Sequence, residues 1–259
     1  MVSTGEDLPS PSALDWDDVV DVICAGAGPG VLAHAIACAD LDLAVELADV
    51  AVPAQVDDPD TAAYLQSMTD DLGPLIPGPD DLELSGVHAE PVVVEKGRRA
   101  TVEPFFGAQL RGWSARCAVS PFGIIYSHVP ENMTAMRAKS GQLIRATVVG
   151  DYQPDTERPG LELTGRLRDW ADERGLLEPG DTTLQRLIFE GGRVAGAALA
   201  TPSGTRLVRA TSGVALSTAA LPDDADWPVQ AGMRGIAAHV AVVSRTASRF
   251  GRVELLYGS

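Results

Sequence analysis

Several residue types that mark common classes of protein are scarce in this chain. Its three cysteines, Cys24, Cys38 and Cys117, are odd in number and scattered, and none belongs to a Cys-x-x-Cys pair. This scarcity excludes a disulfide-stapled scaffold and favours a reducing, cytoplasmic setting. The four histidines show no metal-ligand spacing, so no metal site is predicted.

Basic residues and long apolar runs are scarce as well. Lysine and arginine total 20 against 36 acidic residues, for a formal net charge of −16. Because neutralising phosphates needs clustered basic side chains, this balance excludes a broad nucleic-acid-binding face. No apolar run approaches the length needed to cross a bilayer, and the N-terminus shows no signal-peptide pattern. We therefore expect a cytoplasmic protein with no membrane span.

The most informative stretch that is present is Gly26-Ala27-Gly28-Pro29-Gly30, called here the glycine turn. It follows the apolar run 22–25 and precedes a predicted helix over 31–40. A strand that enters a helix through such a turn is typical of a Rossmann-type βαβ unit, where helix N–H groups bind a dinucleotide pyrophosphate. The third glycine position of this motif is occupied by Val31.

The second predicted strand, residues 43–48, supplies the candidate ribose ligand. It ends at Asp49, where this fold places the acid that binds a ribose hydroxyl, and Glu46 is a weaker candidate for the same role. An ordinary βαβ unit with a glycine turn and no ligand remains the alternative interpretation.

The rest of the chain shows a recognisable order of parts. After a polar leader (1–18), we predict one domain over 19–259, with a small irregular α+β insertion at about 75–155 and a β-meander at about 182–210. Between them, apolar residues at helical spacing predict an amphipathic helix over 161–174. Arg245, Arg249 and Arg252 would share one face if their segment is helical.

This order of parts resembles the FAD-binding domain of the fumarate reductase and 3-ketosteroid Δ1-dehydrogenase flavoproteins. The resembling segments are Val22–Asp49, Gly160–Arg174, the meander, and Gly213–Ala219. The resemblance implies an α/β, Rossmann-like FAD-binding-type domain with a parallel central sheet, and it implies FAD as the cofactor. The cofactor-binding residues it implies are Gly26, Gly28, Pro29, Gly30, Asp49 and Thr218.

The chain departs from the family's pattern where the cofactor would lie. Val31 replaces a glycine, Ala51–Gln55 lacks the family's glycine pair, and Ala219-Ala220 stands where the family has two glycines. At about half the usual family length, the chain is also expected to lack the segment that closes over the flavin. No residue is predicted to be catalytic, since no spacing joins the best polar candidates, Tyr126, His128 and Arg137.

These departures favour a degenerate flavoprotein-fold protein that acts as a non-catalytic or accessory subunit. We expect it to form a homo- or hetero-oligomer, in the latter case with a flavoprotein or related subunit. The first alternative is an active FAD-dependent oxidoreductase of the steroid or other ketone dehydrogenase type, alone or as one half of a split enzyme. The second is a small-molecule binding module that takes an apolar ligand.

Overall fold

The computed structural model describes residues 14–26, 28–48, 56–92, 107–177, 181–218 and 226–258. Strands and helices alternate irregularly along these ranges, and two short 3₁₀ helices lie at Asp70–Leu72 and Pro79–Asp81. The main elements are β1 (Asp18–Ala25), α1 (Pro29–Ala39), β2 (Val45–Ala48), α2 (Pro59–Thr69), β3 (Gly86–Pro91), α3 (Gly107–Val119), β4 (Gly123–Tyr126), β5 (Thr134–Ala138), β6 (Leu143–Tyr152), α4 (Pro159–Glu173), β7 (Thr183–Glu190), β8 (Arg193–Thr201), β9 (Gly204–Ser217), β10 (Ala238–Ser244) and β11 (Phe250–Tyr257).

An open sheet carries the glycine turn. Strand β1 lies between β2 and β9 and is parallel to both, with Val22 opposite Val45 on one side and Gly213 on the other. Strand β9 is long enough to pair also with β4 and with β8, both antiparallel, and β7 completes the meander beside β8. The strand–helix–strand unit β1-α1-β2 therefore has the parallel geometry that the glycine turn predicts.

The remaining strands form a closed five-stranded barrel in the order β10-β6-β5-β3-β11, with β11 returning to β10. Strand β11 belongs to both sheets. Its first residues, Phe250–Arg252, pair with β4 of the open sheet, and its last, Leu255–Tyr257, pair with β3 of the barrel. This shared strand makes the barrel and the open sheet one continuous hydrogen-bonded structure.

The fold is thus mixed α/β and rich in strands, which corrects two expectations. Among the described strands, the predicted parallel central sheet is reduced to β2, β1 and β9, and most other pairings are antiparallel. Residues 75–155, expected to form a small irregular insertion, supply three of the five barrel strands. Their partners β10 and β11 come from far along the chain, so no local pattern reveals the closure.

The proposed arginine face of a C-terminal helix is wrong, because β10, a turn and β11 occupy this segment. Arg252 lies on β11 and is fully buried, and its Nε is 3.8 Å from Glu254 Oε1. Residues two apart on a strand face the same side, so the buried arginine lies beside a carboxylate that partly offsets its charge.

Helices cover both faces of the open sheet. Helix α1 packs on one face together with α4, whose Leu163, Leu167 and Ala171 are fully buried along the stripe predicted for an amphipathic helix. Helix α3 packs on the opposite face against β4 and β11, where Trp113 Nε1 donates a hydrogen bond to Phe250 O. No helix in the described ranges is both long and apolar enough to cross a membrane.

Candidate functional site

The glycine turn has the strand-to-helix geometry expected of its sequence. Gly26 ends β1 with φ +119°, a conformation that disfavours other residues, and its N–H donates to Ala48 O at 2.8 Å. Gly28 is the extended N-cap of α1, and Pro29 occupies the first helical position, where the missing N–H costs nothing. The turn therefore joins β1 to α1 at the carboxyl end of β1, as predicted.

The space that these glycines leave open is filled by the chain itself. A Cβ atom on Gly26 would lie 2.5 Å from Ser217 Cβ, and one on Gly28 would lie 2.6 Å from Ser217 Oγ. In the dinucleotide motif, the second glycine is the residue that lets the pyrophosphate approach the backbone. Here Gly28 is also required by internal packing, because its Cβ position faces Ser217 of β9.

Gly30 explains why Val31 is tolerated at the third motif position. A Cβ on Gly30 would lie 2.6 Å from Phe122 O and 2.8 Å from Gly123 O, so this residue provides the close approach of helix to strand. Val31 is fully buried in the hydrophobic core. Gly30 therefore provides the close helix–strand packing that the motif assigns to its third glycine, which would stand one position later.

The other predicted cofactor residues are engaged locally or lie outside the described ranges. Thr218 Oγ1 donates to Ser120 O at 2.8 Å and contacts Gly123. Glu46, the weaker ribose candidate, is buried and forms an ion pair with Arg206 of β9. Asp49, the segment 51–55 and Ala219-Ala220 are outside the described residues. The structure thus brings Gly26, Gly28, Pro29, Gly30 and Thr218 into one neighbourhood around the start of α1.

A cavity of about 330 Å³ lies toward the other end of α1, and we call it the α1 cleft. It is bounded by α1, β1, β9, β10 and the segment that follows β4. None of the five predicted cofactor residues that the structure describes, Gly26, Gly28, Pro29, Gly30 and Thr218, lines it. Side chains that line the cleft and bear on its chemistry are His34, Cys38, Leu41, Tyr126, His128, Val129, Glu131 and Asn132.

Three of these side chains form a compact polar group. Cys38 Sγ is 3.5 Å from His34 Nε2, and the His34 ring meets the Tyr126 ring edge-on at a centroid distance of 4.9 Å. Burial lowers the pKa of His34 to about 4. Burial, with a smaller contribution from the Asp21 charge, raises the pKa of the Cys38 thiol to about 12, and burial also raises the pKa of Tyr126.

All three groups are therefore uncharged near neutral pH. A thiol with so high a pKa is a poor nucleophile, because the thiolate is the reactive form. A histidine with so low a pKa does not donate a proton as an imidazolium. Near neutral pH this group therefore presents no charge to the cleft.

The α1 cleft brings together two of the three polar candidates that no sequence spacing connected. Tyr126 and His128 both line it, whereas Arg137 lies on β5 and donates to Gly141 O at 3.3 Å. Sequence analysis did not identify the partnership of His34 with Cys38. The signal was present, because residues at i and i+4 are neighbours on a helix. His88 packs against Tyr257, and His239 lies 2.6 Å from Asp151.

No cluster of His, Cys, Asp or Glu that could hold a metal ion is found in the described part of the chain.

Comparison with known proteins gives little further information. No protein family and no curated protein matches the chain. Among solved structures, NikD, described as an unusual amino acid oxidase essential for nikkomycin biosynthesis, is 14% identical with a TM-score of 0.26. The alignment covers 74% of this chain and 50% of NikD, so the chain spans about half of that protein, and so low a TM-score carries no argument.

The packing of Gly30 can be tested by adding one methyl group. Gly30→Ala places a Cβ against two backbone carbonyls that cannot move aside, so we expect a loss of about 1–3 kcal/mol in unfolding free energy. Gly165→Ala is the matched control, because Gly165 lies in α4 with nothing within 4 Å of its Cβ position. That control should gain up to about 1 kcal/mol from helix propensity. Urea denaturation measures the unfolding free energy of both variants. Equal changes in the two variants would contradict the close packing at Gly30.

The environment of His34 predicts a pH dependence of stability. Its pKa is about 4 in the folded chain and about 6.5 when unfolded, so the unfolded state binds more protons between these values. The contribution of neutral His34 is fully present above about pH 6.5 and is lost as the pH falls toward 4. We expect His34→Gln to lose less stability than the wild type between pH 7 and pH 5, as measured by urea denaturation. An unchanged pH dependence would contradict this assignment.

Proposed function

We propose that this chain is a degenerate flavoprotein-fold protein that does not hold FAD at its glycine turn and acts as a non-catalytic or accessory subunit. The observation that supports the proposal most directly is the contact of Gly28 with β9. Ser217 Oγ lies 2.6 Å from the position of a Cβ on Gly28, so the chain's own packing requires a glycine there even when no dinucleotide is bound. The same holds for Gly26, whose Cβ position lies 2.5 Å from Ser217 Cβ.

The placement of the polar side chains also supports a non-catalytic role. A flavin-dependent hydride transfer needs a proton donor or base held against the flavin and the substrate. The candidate groups of the described chain, His34, Cys38 and Tyr126, lie in the α1 cleft rather than at the glycine turn. Arg137 is separate from both places.

A second candidate function is an FAD-dependent oxidoreductase of the steroid or other ketone dehydrogenase type, alone or as half of a split enzyme. The observation in its favour is the parallel trio β2-β1-β9, with α1 beginning at the carboxyl end of β1. Such a helix N-terminus favours an anion through its free N–H groups and its dipole.

The absorption spectrum of the purified chain distinguishes these two candidates. Bound oxidised flavin absorbs between about 350 and 500 nm, and we expect no such band and no saturable change on titration with FAD. A stoichiometric yellow protein would overturn the proposal.

We further propose that the chain works in an oligomer, either with itself or with a flavoprotein-related subunit. Two exposed apolar side chains between Pro74 and Pro77 support this: Leu75 is 38% exposed and Ile76 is 80% exposed. Exposed apolar surface of this kind is often covered by a partner.

Light scattering tests the homo-oligomer directly. We expect the purified chain to have the mass of two or more copies, and Ile76→Asp to shift that mass toward one copy because a charge would be buried in the contact. Asp169→Ala, an exposed change on α4, is the control and should keep the wild-type mass. A monomeric wild type would exclude the homo-oligomer.

A further inference from the structure

The α1 cleft has the size of a small-molecule site. Its volume of about 330 Å³ falls in the range of ligand pockets, roughly 300–1,000 Å³. Most of its wall is apolar, and two large apolar side chains at its rim are exposed, Leu41 at 45% and Val129 at 37%. Exposed apolar groups beside a concave apolar wall mark a surface that gains stability when a hydrophobic molecule covers it.

The charges around the cleft restrict what such a molecule can be. No lysine or arginine is among the described residues that line it, and Glu131 is its one carboxylate there. An anionic ligand would lose its hydration without gaining a cationic partner and would face a like charge. Nucleotides, acyl phosphates and fatty acids are therefore disfavoured, which separates the cleft from any dinucleotide site.

The two rings beside the cleft add to its apolar character. Tyr126 lines the cleft, but its hydroxyl is buried beside Gly251 of β11. The His34 ring meets the Tyr126 ring edge-on. Both rings can contact an apolar molecule without presenting a charge to it.

We propose that the α1 cleft binds an uncharged, mainly hydrophobic small molecule and that it discriminates against anions. The apolar wall and the exposed rim leucine and valine supply the affinity, and the absence of a cation from the described lining supplies the discrimination. This binding activity does not depend on whether FAD binds at the glycine turn, because the two places share none of the described residues assigned to them.

Two fluorescent probes with a common ring skeleton test the proposal. N-Phenyl-1-naphthylamine is uncharged, and 8-anilinonaphthalene-1-sulfonate adds a sulfonate to the same rings. Titrated into the full chain at neutral pH, the uncharged probe should bind saturably at one site per chain, and the sulfonate should bind at least roughly tenfold more weakly. Glu131→Gln should reduce the difference in affinity between the two probes, because it removes the carboxylate that repels the sulfonate.

Matched leucine variants locate the bound probe. Leu41→Asp places a charge on the apolar rim, and we expect it to weaken binding of the uncharged probe roughly tenfold. Leu14→Asp is the control, since Leu14 has a similar exposure, 40%, and does not line the cleft. Val129→Asp on the opposite rim should act like Leu41→Asp and provides a second test if either chain folds poorly.

The results separate clearly. Weaker binding in both rim variants with unchanged binding in Leu14→Asp supports the proposal. Three outcomes would overturn it: no saturable binding of the uncharged probe, equal binding of the two probes, or equal effects of the rim and control variants. If the protein carries bound flavin and still binds the two probes as expected, the proposed function is overturned. The proposed binding at the α1 cleft is then still supported.

Discussion

The close seating of α1 on its own sheet is the constraint on which the rest of the structure depends. The helix contacts α4, strands of the open sheet and strands of the barrel, so it holds the two sheets in one arrangement. Its approach is possible only because Gly28 and Gly30 carry no side chain where Ser217 and the Phe122 carbonyl come close. Protein interiors are packed too densely to accommodate even one extra methyl group at such a contact without a shift.

This constraint changes the meaning of the glycine turn. A glycine is required equally where a ligand approaches the backbone and where another part of the chain does. From the sequence alone the two requirements look the same, and the motif suggests a ligand. The structure shows the second requirement at Gly26 and Gly28, where the neighbour is β9. Internal packing is therefore sufficient to require both glycines.

The elements that sequence analysis located are those encoded by local patterns. The stripe Leu163 and Leu167 follows helical spacing and marks α4, and the pair Gly191-Gly192, both at positive φ, marks the turn between β7 and β8. The barrel could not be located in this way, because its pairings join distant segments, such as Val242 of β10 with Thr147 of β6. The α1 cleft could not be located for the same reason, because its walls also come from distant segments. His34 and Cys38 are neighbours on one helix, but Tyr126 joins them only through the tertiary fold.

The sharing of β11 between the two sheets has a consequence for how the molecule folds. Neither the barrel nor the link between β4 and β10 can form until residues 250–257 are in place. Contacts between segments so far apart in the chain carry a large loop-closure cost before they contribute stability, which makes folding slow. Since one strand completes both sheets, they should gain and lose structure together, as one cooperative unit rather than as two independent ones.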